Sequence, residues 1–162
     1  LAFFPSLTPY QRLRIALTSE GKDHSGVGFV ILGHLELLKR LQNDLIVNPL
    51  DPDQVRENGI DLSIGDPLTI EPKAFALAKT REWVEFPTDL VGLCNLRSTY
   101  ARKGLLIPPT VVDAGFKGKL VIEIANLSNQ PYTFKQGERF LHLIVAKCQG
   151  AKPYSGKYQY QT

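Results

Sequence analysis

The spacing of apolar positions changes character once along this chain. Leu35, Leu37, Leu38 and Leu41, with Glu36, Lys39 and Arg40 between them, recur at three- and four-residue intervals and predict one short amphipathic helix over 34–42, packed as a lid on a core. After Pro49 the helical period is gone. Short apolar segments then alternate with turn residues, over 60–64, 74–78, 82–85, 90–96, 105–107, 110–112, 119–126, 132–134 and 139–147. Many short strands at that spacing predict an all-β fold with a few short helices: a sandwich, jelly roll or barrel. One of those helices is expected to open at Ser98 or Thr99 and to stop at Gly104. Residues 1–29 combine Pro5, Pro9, a basic amphipathic fragment around Gln11–Leu17 and a polar Gly-rich stretch, and read as an appendage to a single domain over 30–162. Lys152 to Thr162 has no period and is expected to be a tail that a ligand or a neighbouring subunit orders.

Composition narrows the class. At 162 residues and 43% hydrophobic content, one domain can bury a useful core. The net charge of +3 comes from 19 basic and 16 acidic residues dispersed along the chain, so neither a nucleic-acid partner nor a membrane surface is implied. Cys94 and Cys148 form no paired motif, which fits a reducing, cytoplasmic setting. The apolar runs fall short of the ~20 residues that cross a bilayer, and the N-terminal residues lack the order of a secretory signal. Methionine is absent, so Leu1 either follows a removed initiator or lies inside a longer sequence.

Three places carry candidate chemistry. Arg97-Ser98-Thr99-Tyr100-Ala101-Arg102-Lys103-Gly104 sets hydroxyls, main-chain amides of a helix start and two guanidinium groups close together, a combination suited to phosphate oxygens. It also reads as a solvated basic turn closed by glycine. Over Lys119–Asn126 strict alternation puts Glu123 on one face with Val121 and Ala125. Burial of that face would favour the protonated form and suit the carboxyl to acid–base work; exposure would make it an ordinary solvent-facing residue. Val111–Gly118 places Asp113 at a strand end before two glycines and Phe116, in the pattern of a hairpin; Asp113 either caps its own turn or bonds a sugar hydroxyl beside Phe116. Asp61, in Asn58-Gly59-Ile60-Asp61-Leu62-Ser63, is expected to satisfy backbone donors. No C-x-x-C pair, no shared spacing of His24, His34 and His142, and no H-x-E with P-C-x-x-C signature is present, so zinc chemistry is not expected.

Taken in order, the segment Arg97 to Arg102, the turn Val112 to Gly118, Glu123, Gly137-Glu138-Arg139-Phe140-Leu141-His142-Leu143-Ile144 and Tyr154 to Gln161 resemble the dCTP deaminase branch of the dUTPase-like family over about residues 30 to 161. The resemblance implies a distorted β jelly roll, a homotrimer with active sites shared between subunits, and zinc-independent deamination of dCTP to dUTP and ammonia. It makes Glu123 the general acid and base, and has Ser98 and Arg102 hold the reacting water and the base. It puts Asp113 on the deoxyribose 3′-hydroxyl and the backbone near Val121 and Ile122 on the pyrimidine edge. Thr99, Arg102 and Lys157 would meet the triphosphate, Arg97, Ser98, Tyr100, Ala101 and His142 would be further nucleotide-binding residues, and Tyr154 and Gln161 would close the site. Mg²⁺ would enter with the triphosphate, without a protein cage. dUTP is a further ligand, since bifunctional members cleave it to dUMP and pyrophosphate, and dTTP inhibits in parts of the family. Two departures stand out: His142 replaces a common Gln, and the connection from Arg102 to Asp113 is short and lacks a His-Arg pair.

Overall fold

A computed structural model describes residues 30–162, and the appendage expected over 1–29 lies outside the described residues. In chain order the elements are α1 (His34–Asn43), β1 (Ile46–Asn48), a 3-10 turn (Pro52–Gln54), β2 (Ile60–Ser63), β3 (Leu68–Ile70), β4 (Phe75–Glu85), β5 (Leu90–Leu96), α2 (Ser98–Ala101), β6 (Leu105–Leu106), β7 (Thr110–Val112), β8 (Lys117–Asn126), β9 (Tyr132–Phe134) and β10 (Arg139–Lys147). One four-stranded sheet runs β1-β4-β8-β6, a second runs β2-β10-β5-β7, and β3 pairs β9 alone. All the pairings are antiparallel. Alternation sends Ile122 and Ile124 of β8, Val84 of β4, and Leu141, Leu143 and Val145 of β10 into one common core with Ile60 and Leu62. Helix α1 contributes Leu37 to that core and leaves Leu35 outside, 72% exposed.

The structure differs from the sequence pattern in three instructive ways. The segments expected at 74–78 and 82–85 are one strand: Lys79 pairs Val121 and Trp83 pairs Lys119, so four steps of β4 face two of β8. That bulge turns Glu82 inward, where its side chain is fully buried. The hairpin expected at Val111–Gly118 is instead a corner between sheets, because β7 pairs β5 while β8 pairs β4. Its turn is closed by the Phe116 amide donating to the Asp113 carbonyl at 3.1 Å, with Gly115 at φ +80°.

The tail is the third. It docks on its own chain. The Tyr154 amide donates to the Ala114 carbonyl (2.8 Å), the Tyr160 amide to the Lys117 carbonyl (2.7 Å), and the Lys119 amide to the Gln161 carbonyl (2.9 Å). Gln161 Nε2 returns a bond to the Lys119 carbonyl at 2.7 Å. Gly118 makes this possible, since a Cβ there would come within 3.0 Å of the Gln161 carbonyl oxygen.

Candidate functional site

Two cavities gather most of the residues that the sequence singles out. The first, about 200 Å³, is walled by the corner and β8 on one side and the docked tail on the other: Asp113, Phe116, Val121, Glu123, Tyr154 and Gln161 all face it. Phe116 packs edge-on against Tyr154, with ring centroids 5.6 Å apart, and fixes one end. Asp113 is exposed and its carboxylate has no hydrogen-bond partner among the described residues, so it does not cap its own turn.

The free edge of β8 supplies the rest. Main-chain groups alternate along a strand, and the Lys119 amide points to the tail, whereas the Leu120 amide donates to Thr80 Oγ1 of β4 at 2.9 Å. Val121 and Glu123 therefore turn their amides and carbonyls to the same edge as Lys119, and β6 covers that edge only at Ala125 and Asn126. Ile122 instead pairs Ala78 of β4 with its side chain in the core. The unpaired main-chain groups at the first cavity thus belong to Val121 and Glu123, not to Ile122.

Glu123 itself is exposed, so of the two alternatives for its face the described residues show the open one. Its cross-strand partner Leu77 is 58% exposed and Phe75, opposite Ala125, is 69% exposed. The face is apolar and bare. None of the described residues covers it, and the opposite, core-facing side of β4 and β8 carries Ala78, Leu120, Ile122 and Ile124.

The second cavity, about 370 Å³, lies by α2 and the β2–β10 pair and is lined by Asp61, Arg97, Ser98, Thr99 and His142 together with Arg56 and Glu57. Helix α2 spans Ser98–Ala101 as expected, with Arg97 at its N-cap and Gly104 at φ +84° beyond its end. Tyr100 is turned inward, its hydroxyl donating to the Arg139 carbonyl at 2.9 Å, and burial pushes that phenol well above its ordinary range. It is part of the aromatic core with Tyr132 and Phe134. Ala101, Arg102 and Lys157 are exposed and stand in neither wall. Within one chain the two groups of residues stay apart: Ser98 and Thr99 do not share a cavity with Glu123.

Asp61 is the functional candidate that sequence reasoning placed wrongly. Its carboxylate meets side chains, not backbone donors: Oδ1 lies 2.9 Å from His142 Nδ1 and Oδ2 lies 3.5 Å from Arg97 Nε. The cause is register, since β2 and β10 pair Asp61 directly with His142. No helix among the described residues is long and apolar enough to cross a membrane.

Known proteins bear on both fold and family. A family model described as dCTP deaminase-like matches residues 63–148. A dCTP deaminase of Pyrobaculum islandicum is 45% identical over 163 residues, covering 82% of this chain and 93% of its own. A probable deoxyuridine 5′-triphosphate nucleotidohydrolase of Sulfolobus islandicus rod-shaped virus 1 is 48% identical over 134 residues, covering 72% of this chain and 84% of its own. Among solved structures, the 2′-deoxycytidine 5′-triphosphate deaminase from Agrobacterium tumefaciens superimposes with a TM-score of 0.64 at 17% identity, over 74% of this chain and 49% of that one. The dUTPase of Staphylococcus bacteriophage 80alpha gives 0.57 at 23% identity, over 71% and 89%. At those identities the structural likeness speaks for the fold alone, a distorted jelly roll of the dUTPase-like type. Sequence identity over most of the chain settles the family: this protein belongs to the dCTP deaminase-like family of nucleotide hydrolases.

Proposed function

We propose that the chain deaminates dCTP, adding water to yield dUTP and ammonia, with Glu123 as the general acid and base. One observation carries the reading: Glu123 stands on a free strand edge, in the same cavity as Asp113, Val121, Tyr154 and Gln161. The main-chain groups of Val121 bond the edge of the pyrimidine. Asp113 accepts from the 3′-hydroxyl, with Phe116 beside the sugar. Glu123 takes one proton from water as the oxygen bonds to C4 and gives it to the exocyclic nitrogen, which leaves as ammonia when its bond to C4 breaks, while the remaining hydroxyl proton ends on N3 as the carbonyl of uracil forms.

Such chemistry needs the carboxyl out of bulk water, and the described residues of a single chain leave it bare. The proposal therefore includes assembly as a homotrimer in which a neighbour covers Phe75, Leu77 and Glu123. That neighbour also brings its own Arg97, Ser98, Thr99 and His142 to the triphosphate, with Arg102 and Lys157 as further cations. Among the described residues no three His, Cys, Asp or Glu side chains cluster as metal ligands, and Asp61, the buried carboxylate of the second cavity, is taken up by His142 and Arg97. Magnesium fits here as an ion held by phosphate oxygens and water, and bound so it offsets phosphate charge. A neutral-pH, cytoplasmic nucleotide pool with dTTP as a candidate inhibitor completes the reading.

Incubation of the purified protein with dCTP and Mg²⁺, following ammonia and dUTP, tests it. Glu123→Gln should slow turnover by about a hundredfold or more, the usual scale for a lost general acid–base group. Ammonia release that survives this change, or none from the unaltered protein, overturns the assignment. The 48% identity to a probable dUTP nucleotidohydrolase supports a second reading, in which dUTP is cleaved to dUMP and pyrophosphate, alone or after deamination. Release of pyrophosphate from added dUTP distinguishes it.

A further inference from the structure

The paired Asp61, His142 and Arg97 do more than line a wall. We infer that Asp61 is a positioning residue, which locks the His142 ring and the Arg97 guanidinium into one rigid receptor for a polyphosphate. This rests on the nucleotide reading above for its substrate and adds a role for a residue to which that reading gives none.

The geometry is that of a built support. The Asp61 side chain is only 3% exposed, while His142 and Arg97 present 23% and 36% of theirs to the second cavity. An ionised carboxylate only accepts, so Nδ1 of His142 donates to it, which fixes the ring's orientation. Arg97 is held twice more, with Nη1 donating to the Arg139 carbonyl at 3.0 Å and its amide donating to the Phe140 carbonyl at 2.9 Å. With Nη1 tied to the Arg139 carbonyl and Nε facing Asp61 Oδ2 at 3.5 Å, the Nη2 edge of the fork is left for phosphate oxygens. Asp61 is pinned in turn: its main-chain carbonyl accepts from the buried Gln54 Nε2 at 2.7 Å, and Gln54 also donates to Glu82 at 2.9 Å. The carboxylate itself is buried behind His142, at 2.9 Å from its Nδ1. Arg56 and Glu57, the other charged groups lining the cavity, are exposed and offset each other across 3.9 Å. Gly59 completes the seat, because a Cβ there would lie 2.5 Å from His142 Nε2 and displace the ring.

The test is calorimetric binding of inorganic tripolyphosphate to the full chain, beside dCTP kinetics. Asp61→Asn replaces one acceptor by an amide donor facing a donor, and should weaken tripolyphosphate binding about tenfold to a hundredfold, the scale of hydrogen bonds to charged groups. The same variant should raise KM for dCTP far more than it lowers kcat. Should burial make Asp61→Asn fold poorly, the partly exposed His142 gives the answer: His142→Asn, which keeps a short donor in the place of Nδ1, should retain more tripolyphosphate affinity than His142→Leu. Equal binding by wild type and Asp61→Asn, equal loss in the two His142 variants, or no tripolyphosphate binding by the wild type overturns the proposal. Asp61-dependent tripolyphosphate binding without ammonia release from dCTP would sink the deaminase reading and leave this one. Deamination undiminished at low dCTP in Asp61→Asn would do the reverse.

Discussion

Glu82 offers the sharpest check on how the site is supported. The bulge in β4 buries its side chain completely, and its two oxygens accept from the Gln54 amide (2.9 Å) and the Ser63 main-chain amide (2.9 Å), both themselves buried. Glu82→Ala strands both donors, at about 1–3 kcal/mol each, less whatever a water entering the vacated space restores. A net loss of about 3–4 kcal/mol follows, which for a domain of this size lowers Tm by about 8–15 °C. Glu82→Gln keeps the volume and one acceptor but turns an amide group onto a donor, so it should fall between Ala and wild type. Thermal and urea unfolding of the full chain, followed by circular dichroism, reads both. If Glu82→Ala melts within about 2 °C of the wild type, the two hydrogen bonds do not hold β2 and the support assigned to Asp61 loses its base.

Three further outcomes follow from the same structure. Leu77→Lys, on the bare face directly across from Glu123, should abolish association in sedimentation velocity and with it activity. Its melting should stay within about 0.5 kcal/mol of the unassociated wild-type chain, since the side chain is 58% exposed. Arg40 donates to both Asp44 and Asp89, and holds the Asp89 carboxyl below its ordinary value chiefly through that hydrogen bond. A depressed carboxyl stabilises the fold above its unfolded-state value, about pH 4, and the benefit disappears as pH falls through the lower folded value. Arg40→Gln should accordingly cost about 1 kcal/mol or less at pH 7, screened by salt because the carboxylates are largely exposed, and nothing in strong acid. Burial pushes the Cys94 thiol up to about 12, so iodoacetamide at pH 8 should label Cys148 in the folded protein and both thiols only in denaturant.

How much of this was readable before the fold comes down to what a period can encode. Helix α1, β5 and β10 lie where the apolar spacing puts them, because each spans enough residues for one face to declare itself, while the three-residue β7 and β9 show only as apolar runs between turn residues. Strands β1 and β3 are three residues long and have no period to show. The polar run Lys79-Thr80-Arg81 reads as a break in β4, although the backbone passes through it as a bulge and Thr80 and Glu82 finish inside. Asp113 and Glu123 were identifiable by type and place, and the corner between the sheets brings them to one cavity. Asp61 was misread because its partners depend on the register of β10 against β2, which a single sequence does not display.

Glu123 marks the other limit, since what covers its face is not among the described residues. Alternation correctly places it with Val121 and Ala125, yet whether a face is covered depends on what packs there, and here β4 answers with Phe75 and Leu77 at 69% and 58% exposure. Leu106 and Val111, at 55% and 52%, extend the apolar surface along a groove by β6 and β7. A chain that folds alone gains nothing from such side chains in water, where each forgoes most of the roughly 1.5–3 kcal/mol its burial is worth. Their positions make physical sense if a second copy supplies the cover. The same contact would then strip water from Glu123 and join the two cavities that one chain holds apart, so that assembly and acid–base chemistry become a single requirement.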